Sequence, residues 1–169
     1  MKPNPFKPPY LTGYVAGQGG YLAAVMRGHV VNGVEQPAYA LIASEAAAGE
    51  FISIWGNRDQ SVDGANSRHD GKANTEAMAA AGCPAALKVK ALVIEGHSDW
   101  YVPSLGELNA AASNAPELFS KGWHWTSTQY SRNLAFVQLF EYGDSSWDSK
   151  DGEFRVRAFR RIPLEALTT

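Results

Sequence analysis

The sequence predicts an α+β domain: mixed antiparallel sheets with two short helices, behind an extended N-terminal arm. Three observations carry this. From Gly122 onward, apolar and polar residues alternate at period two, the pattern of strands with distinct faces. Ser104-Leu-Gly-Glu107 is a capping box, in which the serine hydroxyl takes a first-turn N–H and the glutamate reaches back to the cap, so a helix starts there. Pro3, Pro5, Pro8 and Pro9 fall within residues 1–12, and proline fixes φ and donates no backbone hydrogen bond, which leaves an extended arm or a frayed end. Residues 13–169 then make one domain.

Along the chain, Gly13, Gly17, Gly19, Gly20, Gly28 and Gly33 punctuate short apolar runs. Tyr21–Met26 and His29–Val31 read as strands of a hairpin-like region, and Pro37 to Ile42 as another strand. Ser44–Gly49 is a small-residue turn or helical turn. Phe51–Trp55 carries apolar residues on both faces and reads as a buried strand. Asn57 to Gly71 is a polar loop. A helix is expected from near Asn74 through Thr75–Ala81, stopped by Gly82 and Pro84. Leu87–Ile94 and Asp99–Val102 read as strands, and the capped helix runs to about Ala112, burying Leu105 and Leu108. Trp123–Thr128 and Ala135–Tyr142 follow as strands. Gly143–Ser146 reads as a turn, and Trp147–Ser149 as a short strand or loop. Asp151-Gly152 is a hairpin signal before a strand facing Phe154, Val156 and Ala158 one way and Arg155, Arg157 and Phe159 the other.

At 169 residues the chain can bury a core without metals or disulfides. Its net charge of −2 argues against general nucleic-acid binding. The single cysteine, Cys83, has no internal disulfide partner and is expected to be buried and inert in its Ala-rich segment. Lys2 is not followed by the apolar core of a signal peptide, and no apolar run approaches the ~20 residues of a membrane span, so no membrane insertion is expected.

His29, His69, His97 and His124 occur in no zinc-binding spacing. His97-Ser98-Asp99 is contiguous, whereas catalytic triads converge in space, so it reads as a turn. Gly17-Gln18-Gly19-Gly20 lacks the Lys-Ser/Thr of a phosphate loop and reads as a turn or a close backbone approach. Asp144, Asp148 and Asp151 could cluster, but turn chemistry explains them equally well, and a calcium site needs six or more oxygen donors. No catalytic residue, metal site or cofactor is expected. Arg155, Arg157, Arg160 and Arg161 form a stripe suited to carboxylates of neighbouring strands or of a neighbouring subunit.

Three blocks in the stretch 96–162 point further. They are Gly-His-Ser-Asp-Trp-Tyr-Val-Pro-Ser-Leu-Gly-Glu-Leu, Gly-Trp-His-Trp-Thr-Ser-Thr-Gln-Tyr, and Phe-Arg-Val-Arg-Ala-Phe-Arg-Arg-Ile. In this order they resemble the C-type-lectin-like domains of phage and bacterial surface proteins. That group includes the C-terminal domain of a collagen-like adhesin, phage variable tropism proteins and many domains of unknown function. The resemblance implies a C-type-lectin-like fold for residues 13–169, with Val102 standing where the family has leucine. The same scaffold hosts formylglycine-generating enzymes, which need reactive cysteines in the C-terminal region, and Cys83 lies before it. Calcium-dependent animal lectins carry a Trp-Asn-Asp strand, and Trp147-Asp148 departs from it.

The resemblance implies a non-enzymatic virion protein, assembled in the bacterial host cytoplasm. Its function would be receptor binding or adhesion to a host-surface glycan or protein, as in a tail fibre. The alternative is a structural virion component such as a capsid decoration protein. Its partners would include other virion subunits, docked through residues 1–12, and further copies of itself, with a trimer favoured. The candidate ligand-binding residues are Tyr130, Arg132 and Asn133 in one connection and Tyr142, Asp144, Ser146, Trp147 and Asp148 in the next. Rigid amphipathic rings with adaptable hydrogen-bonding groups, presented on loops, are the chemistry of recognition surfaces.

Overall fold

The computed structural model describes residues 13–167. The arm expected over residues 1–12 lies outside the described residues. In chain order the elements are β1 (Tyr14–Val15), β2 (Gly20–Met26), β3 (His29–Val31), β4 (Val34–Gln36), β5 (Tyr39–Ser44), α1 (Ala46–Gly49) and β6 (Glu50–Ser53). There follow α2 (Gly71–Ala80), α3 (Pro84–Lys90), α4 (Leu105–Asn114) and a 3-10 turn at Pro116–Leu118. The chain ends with β7 (Trp123–Gln129), β8 (Leu134–Leu139), β9 (Asp144–Ser149), β10 (Phe154–Arg157), β11 (Phe159–Pro163) and a 3-10 turn at Leu164–Leu167. The fold is thus α+β, with largely antiparallel sheets and, among the described residues, four helices.

The first sheet has the order β1-β2-β5-β11 and is antiparallel throughout. All six residues of β5 are buried, because both faces of this central strand carry core. Period-two alternation sends Ala40 and Ile42 into one cluster with Trp55, Trp100 and Trp125. It sends Tyr39, Leu41 and Ala43 into another with Tyr101, Leu108, Phe140 and Phe159, under α4. In β2 a bulge between Leu22 and Ala24 breaks the alternation, so that Leu22 joins the first cluster and both Ala23 and Ala24 the second. Gly20 is required by this sheet: a Cβ there would sit 2.1 Å from the Ala43 carbonyl oxygen. The buried indoles are satisfied, Trp55 donating to Thr126 O at 2.8 Å and Trp125 to Ser53 O at 3.0 Å.

The second sheet has the order β6-β10-β7-β8-β9. Here β10 enters between β6 and β7, antiparallel to the first and parallel to the second. Asp151-Gly152 therefore turns the chain across the sheet and closes no hairpin between β9 and β10. The strands expected to pair as a hairpin, β2 and β3, likewise do not pair with each other. Instead β3 pairs with β4 around Asn32-Gly33, both at positive φ.

Helices depart furthest from the expectation of two. Leu87–Ile94 is not a strand. Its first half belongs to α3, which Pro84 opens at N1, so the residue expected only to stop a helix also starts one. The buried residues there are Ala85, Ala86 and Val89, spaced for one helical face, while Leu87 and Val93 are half or more exposed. Helix α2 begins at Gly71, not near Asn74, because Asp70 caps it by accepting from Ala73 N at 2.9 Å. Asn74 is buried inside it and holds the preceding loop through Ser67 N and O, at 3.0 and 2.7 Å. Phe51–Trp55 is not a buried strand: β6 stops at Ser53 and lies at the sheet edge, with Ile52 half exposed. Asp99–Val102 is reduced to one bridge, between Tyr101 and Phe159.

Two interior carboxylates tie these parts together. The predicted capping box is present, with Glu107 N donating to Ser104 Oγ at 3.2 Å and Ser104 N to Glu107 Oε1 at 3.1 Å. Glu107 also accepts from Gly71 N (2.9 Å), Tyr39 Oη (3.0 Å) and Tyr101 Oη (2.5 Å). Burial, with the Glu107 charge alongside, pushes both tyrosine hydroxyls well above their ordinary range. Glu50 takes the other route. Arg157 reaches its Oε2 at 2.9 Å, Arg155 lies at 3.5 Å, Ser120 donates at 2.9 Å, and His124 Nε2 stands 3.5 Å away, at the outer limit of hydrogen bonding. Burial alone would raise this carboxyl, but the His124 ring and the Arg157 guanidinium outweigh it and hold it down at about 2. The arginine stripe is completed by Arg160 on Asp99 and Arg161 on Asp70, each at 2.8 Å, so these arginines pair within the chain, with loop carboxylates and not only with the strand residue Glu50. Cys83 is buried, and burial pushes its thiol up.

Candidate binding surface

The surface is built on β7, β8 and β9. Strand β7 is buried along nearly its whole length, and Tyr130 is the first residue after it to emerge. The turn to β8 is closed by Tyr130 N and Ser131 N, which donate to Leu134 O at 2.9 and 3.0 Å. From there β8 and β9 pair without a bulge, from Leu134↔Ser149 to Leu139↔Asp144. This register places Trp147 directly across from Phe136, on one face of the sheet.

Tyr130 and Trp147 stack there in parallel, with centroids 4.8 Å apart and planes 6° from coplanar. Tyr130 is 49% and Trp147 51% exposed. Phe136 meets Tyr130 edge-on at 5.3 Å, and Arg68 lies over the Phe136 ring, also at 5.3 Å. Two residues along β9, on the Trp147 side, Ser145 Oγ lies within hydrogen-bond distance of Gln138 Oε1 (2.8 Å) and of the Asn109 side chain on α4 (2.9 Å). The result is a row of rings bordered by a guanidinium, a hydroxyl and the Asn109 amide, with the Gln138 amide fully buried.

The remaining predicted residues fall into three groups. Arg132 and Asn133 are next to the ring pair but hold the 57–60 loop: Arg132 Nε donates to Asp59 O at 2.7 Å, and Asn133 Oδ1 accepts from Asp59 N at 3.0 Å. These bonds support Asp59 at a φ of 66°. Ser146 and Asp148 lie within β9, not in a loop, and alternation turns them to the face opposite Trp147. Tyr142 is 78% exposed, but it sits in the turn over 140–143, and Asp144 opens β9. The register separates that end from the Tyr130 turn by five residue steps, roughly 17 Å of strand.

No protein-family model matches the chain, and no curated protein matches it. Arg68, Phe136 and Asn109 were missed as contributors by reasoning from the sequence. Phe136 could have been found from a β8–β9 register, but no local signal marks Arg68 or Asn109, which arrive from elsewhere in the chain. Among the described residues, no group of three or more His, Cys, Asp or Glu side chains is placed to hold a metal ion. Asp148 accepts from its neighbour Ser149 N at 2.7 Å within β9, and Asp151, in the turn that follows, accepts from Ser149 Oγ.

Proposed function

We propose that the chain is a non-enzymatic binding module of the C-type-lectin-like kind, carried on a phage or prophage virion. It engages a host-surface glycan or protein through the face centred on Tyr130 and Trp147. The observation that carries this reading is the parallel stack of two half-exposed rings on a sheet whose other face is core. The fold gains little from leaving that much indole and phenol in water. A flat ring beside hydrogen-bonding groups suits a sugar, which offers an apolar C–H face and hydroxyls, and equally suits a protein side chain. The α+β architecture, the capped α4 and the closing strand β11, which holds the Phe-Arg-Arg-Ile part of the third block, support the lectin-like assignment. Assembly as a trimer and docking to other virion subunits through residues 1–12 belong to the same proposal.

Binding of labelled protein to host cells tests it. The parent binds, and a Tyr130→Ser, Trp147→Ser double variant is expected to lose at least ~tenfold in affinity, as when aromatic anchors are removed from an interface. Tyr142→Ser is expected to bind like the parent. Equal binding by the double variant would overturn the assignment of this face. Immunogold labelling confined to particle heads, with no binding to host cells, would overturn receptor binding in favour of capsid decoration.

A further inference from the structure

A second concave site lies on the first sheet, built by different strands from the ring face. It is a cavity of about 410 Å³, within the range of small-ligand pockets. Its walls include Pro37, Tyr39, Arg161, Ile162, Leu164 and Glu165. The place is set by the end of the β5–β11 ladder, where Tyr39 pairs with Pro163. Proline has no N–H to continue the pairing, and the chain folds over into the 3-10 turn at Leu164–Leu167, anchored in the core by Leu167. A strand end, two prolines and an anchored turn make walls that need little reorganisation to receive a ligand.

The charged group in this wall is held in place. The Arg161 guanidinium packs 4.7 Å from the Tyr39 ring centroid and 5.4 Å from that of Tyr101. Its Nη2 donates to Asp70 Oδ1 at 2.8 Å. Its Nε is buried without a partner. Arg161 thus brings donors to an otherwise largely apolar hollow, while its charge is already balanced by Asp70. Glu165, which has a partner of its own, adds a carboxylate to the wall and no cation.

We infer that this cavity binds a small, uncharged, aliphatic ligand that presents a carbonyl or hydroxyl oxygen to the Arg161 guanidinium. The apolar wall takes the aliphatic body, and the guanidinium takes the oxygen. With Asp70 balancing the arginine and Glu165 in the wall, a carboxylate or phosphate finds no uncompensated positive charge there.

Titration of the ¹⁵N-labelled full chain followed by NMR tests this, with N-acetyl-leucinamide as the probe and N-acetyl-leucine at pH 7 as its anionic counterpart. The amide is expected to shift the backbone resonances of residues 161–165 and the side-chain N–H of Arg161, saturably. Arg161→Lys keeps the charge facing Asp70 but loses the second donor, and is expected to weaken the amide about 3- to 10-fold. Leu164→Trp fills the hollow and is expected to abolish the shifts while the spectrum elsewhere stays that of the parent. Three results would overturn the inference: no saturable shift with the amide, tighter binding of the carboxylate, or equal shifts in parent and Leu164→Trp. Shifts at residues 161–165 that track protein concentration without any probe would also overturn it, by giving the cavity to a second copy of the chain.

Discussion

Glu107 and Glu50 are both carboxylates drawn into the interior, and they are satisfied in opposite ways. Glu107 is fully buried and takes its hydrogen bonds from neutral donors alone, two tyrosine hydroxyls and two backbone N–H groups, from Gly71 and Ser104, with the Arg161 charge acting at longer range. Those N–H groups belong to the starts of α2 and α4, so two helix N-termini converge on one negative charge. Glu50 keeps a little exposure and is met chiefly by cations, Arg157 foremost and then Arg155, with the Ser120 hydroxyl and the His124 ring beside them. The difference separates what fixes the arrangement of elements from what pairs charge across a sheet. The Glu107 network fails if any of several elements shifts, because neutral donors act only at hydrogen-bond range. The Glu50 pairing falls off more gradually with distance.

The largest expected effect is at Glu107. Replacement by alanine strands its donors in the interior, at about 1–3 kcal/mol each, for a total above about 4 kcal/mol. Denaturant unfolding monitored by tryptophan fluorescence should show a chain that is unfolded or nearly so, given typical stabilities of about 5–15 kcal/mol. Arg157→Met comes next, with about 3–4 kcal/mol lost, since it leaves Glu50 largely uncompensated. If Arg157→Met cost more than Glu107→Ala, the ranking of the two carboxylates would be reversed.

The pH profile should divide the two sites. The folded Glu50 carboxyl is depressed to about 2, so its contribution is complete above the ordinary carboxylate range near 4.5 and is lost as the pH falls toward 2. That loss amounts to about 3 kcal/mol and should be absent in Glu50→Gln. Tyr39 and Tyr101 are raised in the folded state, so their contribution is intact below pH 10 and is lost as the pH climbs above it. A Tyr39→Phe variant should show a shallower alkaline decline in unfolding free energy. Gly71→Ala is a milder probe of the Glu107 site: the added Cβ would lie 2.5 Å from Glu107 Oε1 and 2.6 Å from Ser104 N, and about 2 kcal/mol of strain is expected. The smallest effect on folding, under about 1 kcal/mol, is expected for Trp147→Ser, which touches neither carboxylate.

The capping box and the strand alternation of β7 and β8 could be read directly from the sequence, because both are local. The box needs four consecutive residues, and a strand face needs only its own alternation. What stayed illegible was non-local. Glu107 was legible as a cap but not as the partner of Tyr39 and Tyr101, since nothing near residue 107 announces a hydroxyl contributed by β5. Helix α3 was misread because Leu87, Val89 and Val93 suggest a strand. The deciding signal was Pro84 together with the spacing of Ala85, Ala86 and Val89, residues too small to dominate a hydrophobic pattern. On the candidate surface, the ring types at 130 and 147 were legible but their meeting was not. That depends on the β8–β9 register, and the same register carries Tyr142 away to the far end.

The pairing of β5 with β11 has a consequence for how the chain is made. Residues 39–44 are buried on both faces and lie between β2 and β11, so their central position is complete only when residues 159–163 have been synthesised. On the ribosome, this aliphatic segment waits exposed while residues 45–158 are translated. Closure is then a long-range event, of the kind that folds slowly and leaves unpaired strand edges open in the meantime. A chain cut before residue 159 should therefore be a client for chaperones or aggregate, even though it retains the whole of the proposed ring face.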